Sequence, residues 1–248
     1  MGALTGGYGQ RQNNNFKKKN QWWLTDTPSV FRILPASDRF TNDPFKWNQY
    51  HAVHKGYKNM EGKLRLFEST LQKKNKEVVV RDAAVERFDT LKAAYEKATL
   101  EQNGALMKQL NDLIGMRGVY TIEKKWYMNV MNLEGAVGTF ALNYTAKAAL
   151  DVEIEKLQAK GVDPLSLDNG RYFVFSKSNT GGKATFSVRV FEEEVEINGK
   201  KYKEEVVAKN LTDSWANVEK EMVNLATIYN IITPEEIEQI VKESDLKT

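Results

Sequence analysis

Two periods of apolar and polar positions alternate along this chain, and their order outlines its architecture. Ser29–Pro35 (SVFRILP) reads as a short strand stopped by proline, and Pro44–Tyr57 (PFKWNQYHAVHKGY) alternates as a second. Gly62–Ser69 (GKLRLFES) places Leu64 and Leu66 on one face and Lys63, Arg65 and Phe67 on the other. Between Asp82 and Gly115 the period turns helical. Val85, Phe88, Leu91, Tyr95 and Ala98 share one stripe, Asn103-Gly104 breaks it, and Leu106, Leu110, Leu113 and Ile114 resume it. That pattern predicts a helical hairpin inserted between strands, with its Leu and Phe stripe serving packing.

Strand character returns at Val119–Leu133, followed by a turn at Glu134–Gly138 and an apolar segment at Thr139–Thr145. Lys147–Lys160 reads as an amphipathic helix, and Arg171–Ser176 and Lys183–Phe191 as strands. Glu194–Val207 is a hairpin closed by Asn198-Gly199, a pair that tolerates the positive φ angles of a type I′ turn. Trp215, Val218, Met222, Leu225 and Tyr229 mark one helix. Thr233-Pro234-Glu235-Glu236 opens another, with Thr233 as N-cap, Pro234 in the first turn and Glu236 closing a capping box.

Many short strands interrupted by helices predict a mainly β, overall α+β protein. The best-fitting form is a Greek-key barrel of the oligonucleotide-binding (OB) type, with a helical-hairpin insertion and C-terminal helices. Residues 1–20 form a flexible basic arm, too poor in aliphatics to fold alone. The core spans 21–210 with the insertion at 82–115, and 211–248 holds the C-terminal helices and a mildly acidic end. There is no internal repeat.

Composition narrows the chemistry. A length of 248 residues with 41% hydrophobic and 28% charged residues is ordinary for a soluble protein with a proper core. The net charge of +3 is too small to argue for nucleic acid by itself, but residues 1–20 carry Arg11, Lys17, Lys18 and Lys19 without an acid. With no cysteine, disulfides and thiolate metal sites are excluded. His51 and His54 read as polar surface residues, so no metal or cofactor is expected. No apolar run resembles a signal peptide or a membrane span, which predicts a cytoplasmic protein without membrane contact. Phosphate-cradling GxxxxGK[ST], GxSxG and HExxH are missing, and Glu192-Glu193-Glu194 diverge on a strand rather than converge on a metal. An enzyme is not expected.

The chemistry that is present lies in Arg117–Asn132 (RGVYTIEKKWYMNVMN), which sets Tyr120, Trp126 and Tyr127 among Arg117, Lys124 and Lys125. Rings stack on unpaired bases while cations neutralise phosphates. Similar mixtures recur at Arg171–Lys177 and Lys183–Phe191. The candidate stacking residues are Trp126 and Tyr127, then Tyr120, Phe186, Trp47 and Tyr57. The candidate phosphate contacts are Lys46, Lys55, Lys63, Arg65, Arg117, Lys124, Lys125, Lys177, Lys183 and Arg189. Trp22, Trp23 and Trp215 read as structural. If about five phosphates are neutralised, log K should fall against log salt with a slope near −3.5. The reading depends on rings and cations from separate strands converging in one furrow.

Four segments in order carry a family likeness: VFRILP at 30–35; DPFKW and GKLRLFES within 43–69; KKWYMNVMN with the following Gly138 and Lys147; and DPLSLDNGRYFVFSKS with ATFSVRVF within 163–191. Together the chain resembles the helix-destabilising single-stranded DNA-binding proteins of T-even-type bacteriophages. The resemblance covers about half of the chain. It implies an OB-fold core that coats single-stranded DNA in replication, recombination and repair, with cooperative contacts between copies through the basic N-terminal arm. It also implies a cleft of aromatic and basic residues, whose adjacent aromatic pair matches Trp126-Tyr127 in reversed order and whose late aromatic matches Phe186. Phage replication proteins are the further partners it implies. Two features depart from the family. The zinc held by Cys and His in its best-known members has no counterpart: there is no cysteine, and the Asp82–Gly115 hairpin occupies that interval. The long acidic tail that recruits replication proteins is replaced by a capped helix and a mildly acidic end. The rival reading is a phage structural or assembly protein whose exposed aromatics are subunit contacts. RNA coating is the remaining alternative, since stacking does not discriminate sugars.

Overall fold

In the computed structural model the structure describes residues 21–43, 45–54, 56–57, 67–68, 83–115, 118–180, 183–229 and 233–245. The strands are β1 Gln21–Trp23, β2 Ser29–Ile33, β3 Asn48–His54, β4 Phe67–Glu68, β5 Ile122–Asn132, β6 Val137–Leu142, β7 Tyr172–Thr180, β8 Lys183–Val190, β9 Glu192–Ile197 and β10 Lys200–Glu205. The helices are α1 Ala83–Leu100, α2 Gly104–Ile114, α3 Tyr144–Ala159, α4 Trp215–Glu221 and α5 Pro234–Asp245. Contacts divide the chain into two compact units. One includes 52–123 and 229–248, and the other 19–51 and 124–228.

The sheet unit is built on the order β1-β6-β5-β2-β7-β8, with β3 beside β5. Phe31, Met128, Val130, Phe140, Phe173 and Phe175 point to one face, where α3 covers them with Ala146, Leu150, Ile154 and Leu157. Strand alternation sends Leu34, Met131 and Val137 to the other face, against Leu211, Val218 and Met222. Each such side chain, fully buried, contributes about 1.5–3 kcal/mol. The sheet is therefore a packed layer between two apolar cores.

A closed barrel is not what forms. The described strands make an open sheet with β1 and β8 at its ends. Instead of returning to β1, the chain after β8 leaves the sheet as a separate two-stranded ladder, β9–β10. Its Asn198-Gly199 turn has φ of 54° and 75°, as the type I′ reading requires. The helix expected from Trp215 to Tyr229 is also interrupted. α4 ends at Met222, which is extended, because the Asn129 amide on β5 binds both the N–H and the carbonyl of Val223, at 2.9 and 3.0 Å. A short 3-10 turn, Leu225–Thr227, follows.

Buried Arg32 on β2 ties down the DPLSLDNG segment by donating to the carbonyls of Ser166, Leu167 and Lys209. Burial lowers its pKa from the usual guanidinium range. Gly170 fits beside it because a Cβ there would lie 2.7 Å from the Ser166 carbonyl oxygen and 2.9 Å from that of Pro164.

The helical unit contains α1, α2 and α5 around Tyr57, Ala84, Leu91, Leu110, Tyr120, Ile237 and Val241. Its predicted hairpin breaks at Asn103, whose side chain caps α2 at Leu106. The capping box on α5 forms in both directions: the Thr233 N–H donates to Glu236 at 2.9 Å, and the Glu236 N–H to Thr233 at 3.2 Å. Of the predicted Gly62–Ser69 strand, only Phe67–Glu68 falls within the described residues, paired with Val53 and His54 of β3.

Candidate nucleic-acid interface

The first turn of α3 gathers rings from three elements. Trp126 sits on β5 on the α3-covered side, sharing alternation with Met128 and Val130, and is half-buried. Tyr50 from β3 lies 4.8 Å from it, and Tyr144, the first residue of α3, 6.1 Å away. Tyr144 is 73% exposed. The chain turns from strand to helix here because Asn143 caps the helix, accepting from the Ala146 N–H at 2.9 Å. Thr139–Thr145 was expected to be one apolar segment; its end is instead the start of α3, which turns Tyr144 outward.

One turn on, the Lys147 ammonium lies 5.0 Å from the centre of the Trp47 ring and pairs with Asp151. Trp47 also borders a cleft of about 80 Å³ with Phe40, Lys46, Gln49, Asn129 and Leu225. Phe45, just before Lys46, is 84% exposed. Lys124 is exposed and shares alternation with Trp126. Burial raises the Tyr50 phenol above its ordinary pKa. The first turn of α3 carries no acid, which leaves the positive end of the helix dipole uncompensated beside the rings. The patch is aromatic and mildly cationic, and it offers flat surfaces at three elements.

The other predicted residues are distributed differently. Tyr57, Tyr120 and Tyr127 are fully buried and cannot stack on a base as they stand. Tyr57 and Tyr120 meet edge-on at 5.4 Å inside the helical unit, and the Tyr120 hydroxyl donates to Asp245. Tyr127 is sealed in the sheet unit, edge-on to His51 at 5.6 Å. The two histidines, read as surface residues, are buried as well. His51 Nε2–H donates to the Leu225 carbonyl at 2.7 Å, and His54 packs edge-on to Tyr57.

Phe186 and Lys177 are opposite each other on β8 and β7, and Phe186 packs beside the core beneath α3. They stand three and two strand positions from β5, about 14 and 10 Å across the sheet at ~4.8 Å per strand. Lys177 also pairs with Asp26 at 3.1 Å. Arg189 is exposed on the opposite side of β8. Lys55, Lys63, Arg65, Arg117 and the Lys183 side chain lie outside the described residues. Among the described residues, the predicted set that stays together is Trp47, Lys124 and Trp126, and Tyr50 and Tyr144 join it.

The added residues had a visible signal only in part. Tyr50 lies within the predicted Pro44–Tyr57 strand, but Tyr144 needed the helix start to be placed correctly. Among the described residues, no cluster of three or more His, Asp or Glu side chains is arranged to hold a metal, and no helix is long and apolar enough to cross a membrane. No protein-family model matches the chain, and a search of curated proteins returns no match.

Proposed function

We propose that this protein binds and coats single-stranded DNA largely without sequence preference, using the ring patch at the start of α3. The observation that carries the reading is the run Tyr50–Trp126–Tyr144, with centroid spacings of 4.8 and 6.1 Å and an outermost ring open to solvent. Bases stack on such rings at roughly 1–3 kcal/mol each, whatever their identity. Lys124, on the same face of β5 as Trp126, and Lys46, next to Trp47 in the chain, are exposed cations. Two phosphate contacts would give a salt slope of about −1.4, shallower than composition alone suggests.

The same proposal carries a role in phage replication, recombination and repair, cytoplasmic location in an infected cell, contact between copies through residues 1–20, and phage replication proteins as partners. An OB-type fold in opened form belongs to it too. Its test is a titration of tryptophan fluorescence with oligo(dT) and with a duplex at two ionic strengths. Quenching by the single strand, weak response to duplex and a negative salt slope support the reading. Equal affinity for duplex, or self-assembly with no response to oligo(dT), assigns the rings to subunit contacts instead.

A further inference from the structure

Successive tryptophans on β1 face opposite ways. Trp22 points to the α3 side, opposite Phe140 in register and 5.1 Å from the Phe31 ring. Strand alternation then sends Trp23 to the other side, where it remains 42% exposed. The Lys125 ammonium lies 4.4 Å from the centre of its ring. Tyr127 stands edge-on at 6.3 Å, and is itself edge-on to His51, whose imidazole is fixed by the Leu225 carbonyl. Trp23 is thus a large open ring with a rigid backing and a cation over it.

We infer that Trp23 and Lys125 form a second stacking step for the same single-stranded oligonucleotide, reached by a strand that crosses the edge of β5 at Lys124 and Lys125, just before its ladder with β6 begins at Trp126. This rests on the proposed binding at the α3 patch. Lys124 and Lys125 are consecutive, so alternation places one ammonium on each side of β5 and gives a crossing backbone a cation at both steps. A base stacking on the exposed part of the Trp23 ring brings its phosphate near the Lys125 ammonium, the combination of stacking and charge that holds single strands without sequence readout.

Length dependence is the consequence that separates this step from the first. Oligo(dT) of about four nucleotides reaches only the α3 patch, and about twelve reaches both. Trp23→Ala is expected to bind the short oligonucleotide like the wild type and the long one roughly tenfold more weakly, whereas Trp126→Ala weakens both. In protein labelled with 5-fluorotryptophan, the resonance missing from Trp23→Phe should shift with the long oligonucleotide alone. That readout uses the wild-type chain, so it decides even where Trp23→Ala fails to fold. A Trp23 resonance unmoved by any length, or unchanged affinity of Trp23→Ala, overturns the second step while Trp126→Ala still tests the first. A resonance that moves with protein concentration before any oligonucleotide is added gives Trp23 to a contact between copies and overturns the step. Absence of any oligo(dT) binding by the wild type removes both readings.

Discussion

In the helical unit, the Arg87 guanidinium lies 5.5 Å from the centre of the Tyr120 ring, and Asp245 accepts from the Tyr120 hydroxyl while pairing with Arg87 at 3.3 Å. In the sheet unit, Lys147 lies 5.0 Å from the centre of the Trp47 ring and pairs with Asp151, while Tyr144 one turn earlier stays open. Both places combine a ring, a cation and an acid. They differ in what the acid does and in what covers the ring. Asp245 binds the tyrosine's own hydroxyl, and Tyr120 is sealed among Tyr57, Leu91, Leu110 and α5. Among the described residues Asp151 engages only the lysine, so the ring faces of Trp126 and Tyr144 are not closed by it. A cation beside an aromatic ring is therefore common to the sealed pair and the open patch, and what differs is access to the ring.

The largest expected effect is on stability. Tyr120→Ala removes a fully buried ring and strands the Arg87–Asp245 pair without its hydroxyl, so urea denaturation should show a loss of about 3–5 kcal/mol. The fraction that remains folded should bind oligo(dT) as the wild type does. An unchanged urea midpoint with reduced affinity would place Tyr120 at the interface and erase the distinction.

Why Tyr127 and Trp126 are indistinguishable as letters follows from period-two alternation. KKWY fixes that Trp126 and Tyr127 face opposite sides, yet not which side is covered or how far the cover reaches. Local signals carried much of the remainder. The break at Asn103-Gly104, the Asn198-Gly199 turn and the Thr233–Glu236 capping box each act within a few residues, and each is present in the structure. Features set by distant partners were not legible. Asn129 ends α4 by binding Val223 from across 94 positions of sequence. The choice between open sheet and barrel depends on whether β8 returns to β1, which no residue pattern within either strand records. His51 and His54 look polar until their neighbours bury them.

An intermediate effect sharpens the comparison from the other side. Trp126→Ala should weaken oligo(dT) binding by ~1–3 kcal/mol, read by fluorescence anisotropy of a labelled strand. Because Trp126 is only half-buried, its urea midpoint should fall less than that of Tyr120→Ala. Tyr144→Ala carries the same logic further: its stability should stay within about 0.5 kcal/mol of the wild type while affinity drops. A Tyr144→Ala protein that binds normally would confine stacking to the inner rings and leave the outward tyrosine as plain surface.

The smallest effect compares one exposed lysine from each unit. Lys124 shares a strand face with Trp126, whereas Lys92 on α1 is exposed in the helical unit and pairs loosely with Glu96 at 3.7 Å. Both lose one charge on substitution by glutamine, so any change in bulk electrostatics is matched. Only a lysine in contact with a phosphate releases a counterion when the strand binds. Lys124→Gln should therefore make the slope of log K against log salt shallower by about 0.7, and Lys92→Gln should leave it unchanged. Equal changes in the two variants would mean that the cations act as a diffuse field over the surface, and the patch beside α3 would then hold bases by its rings alone.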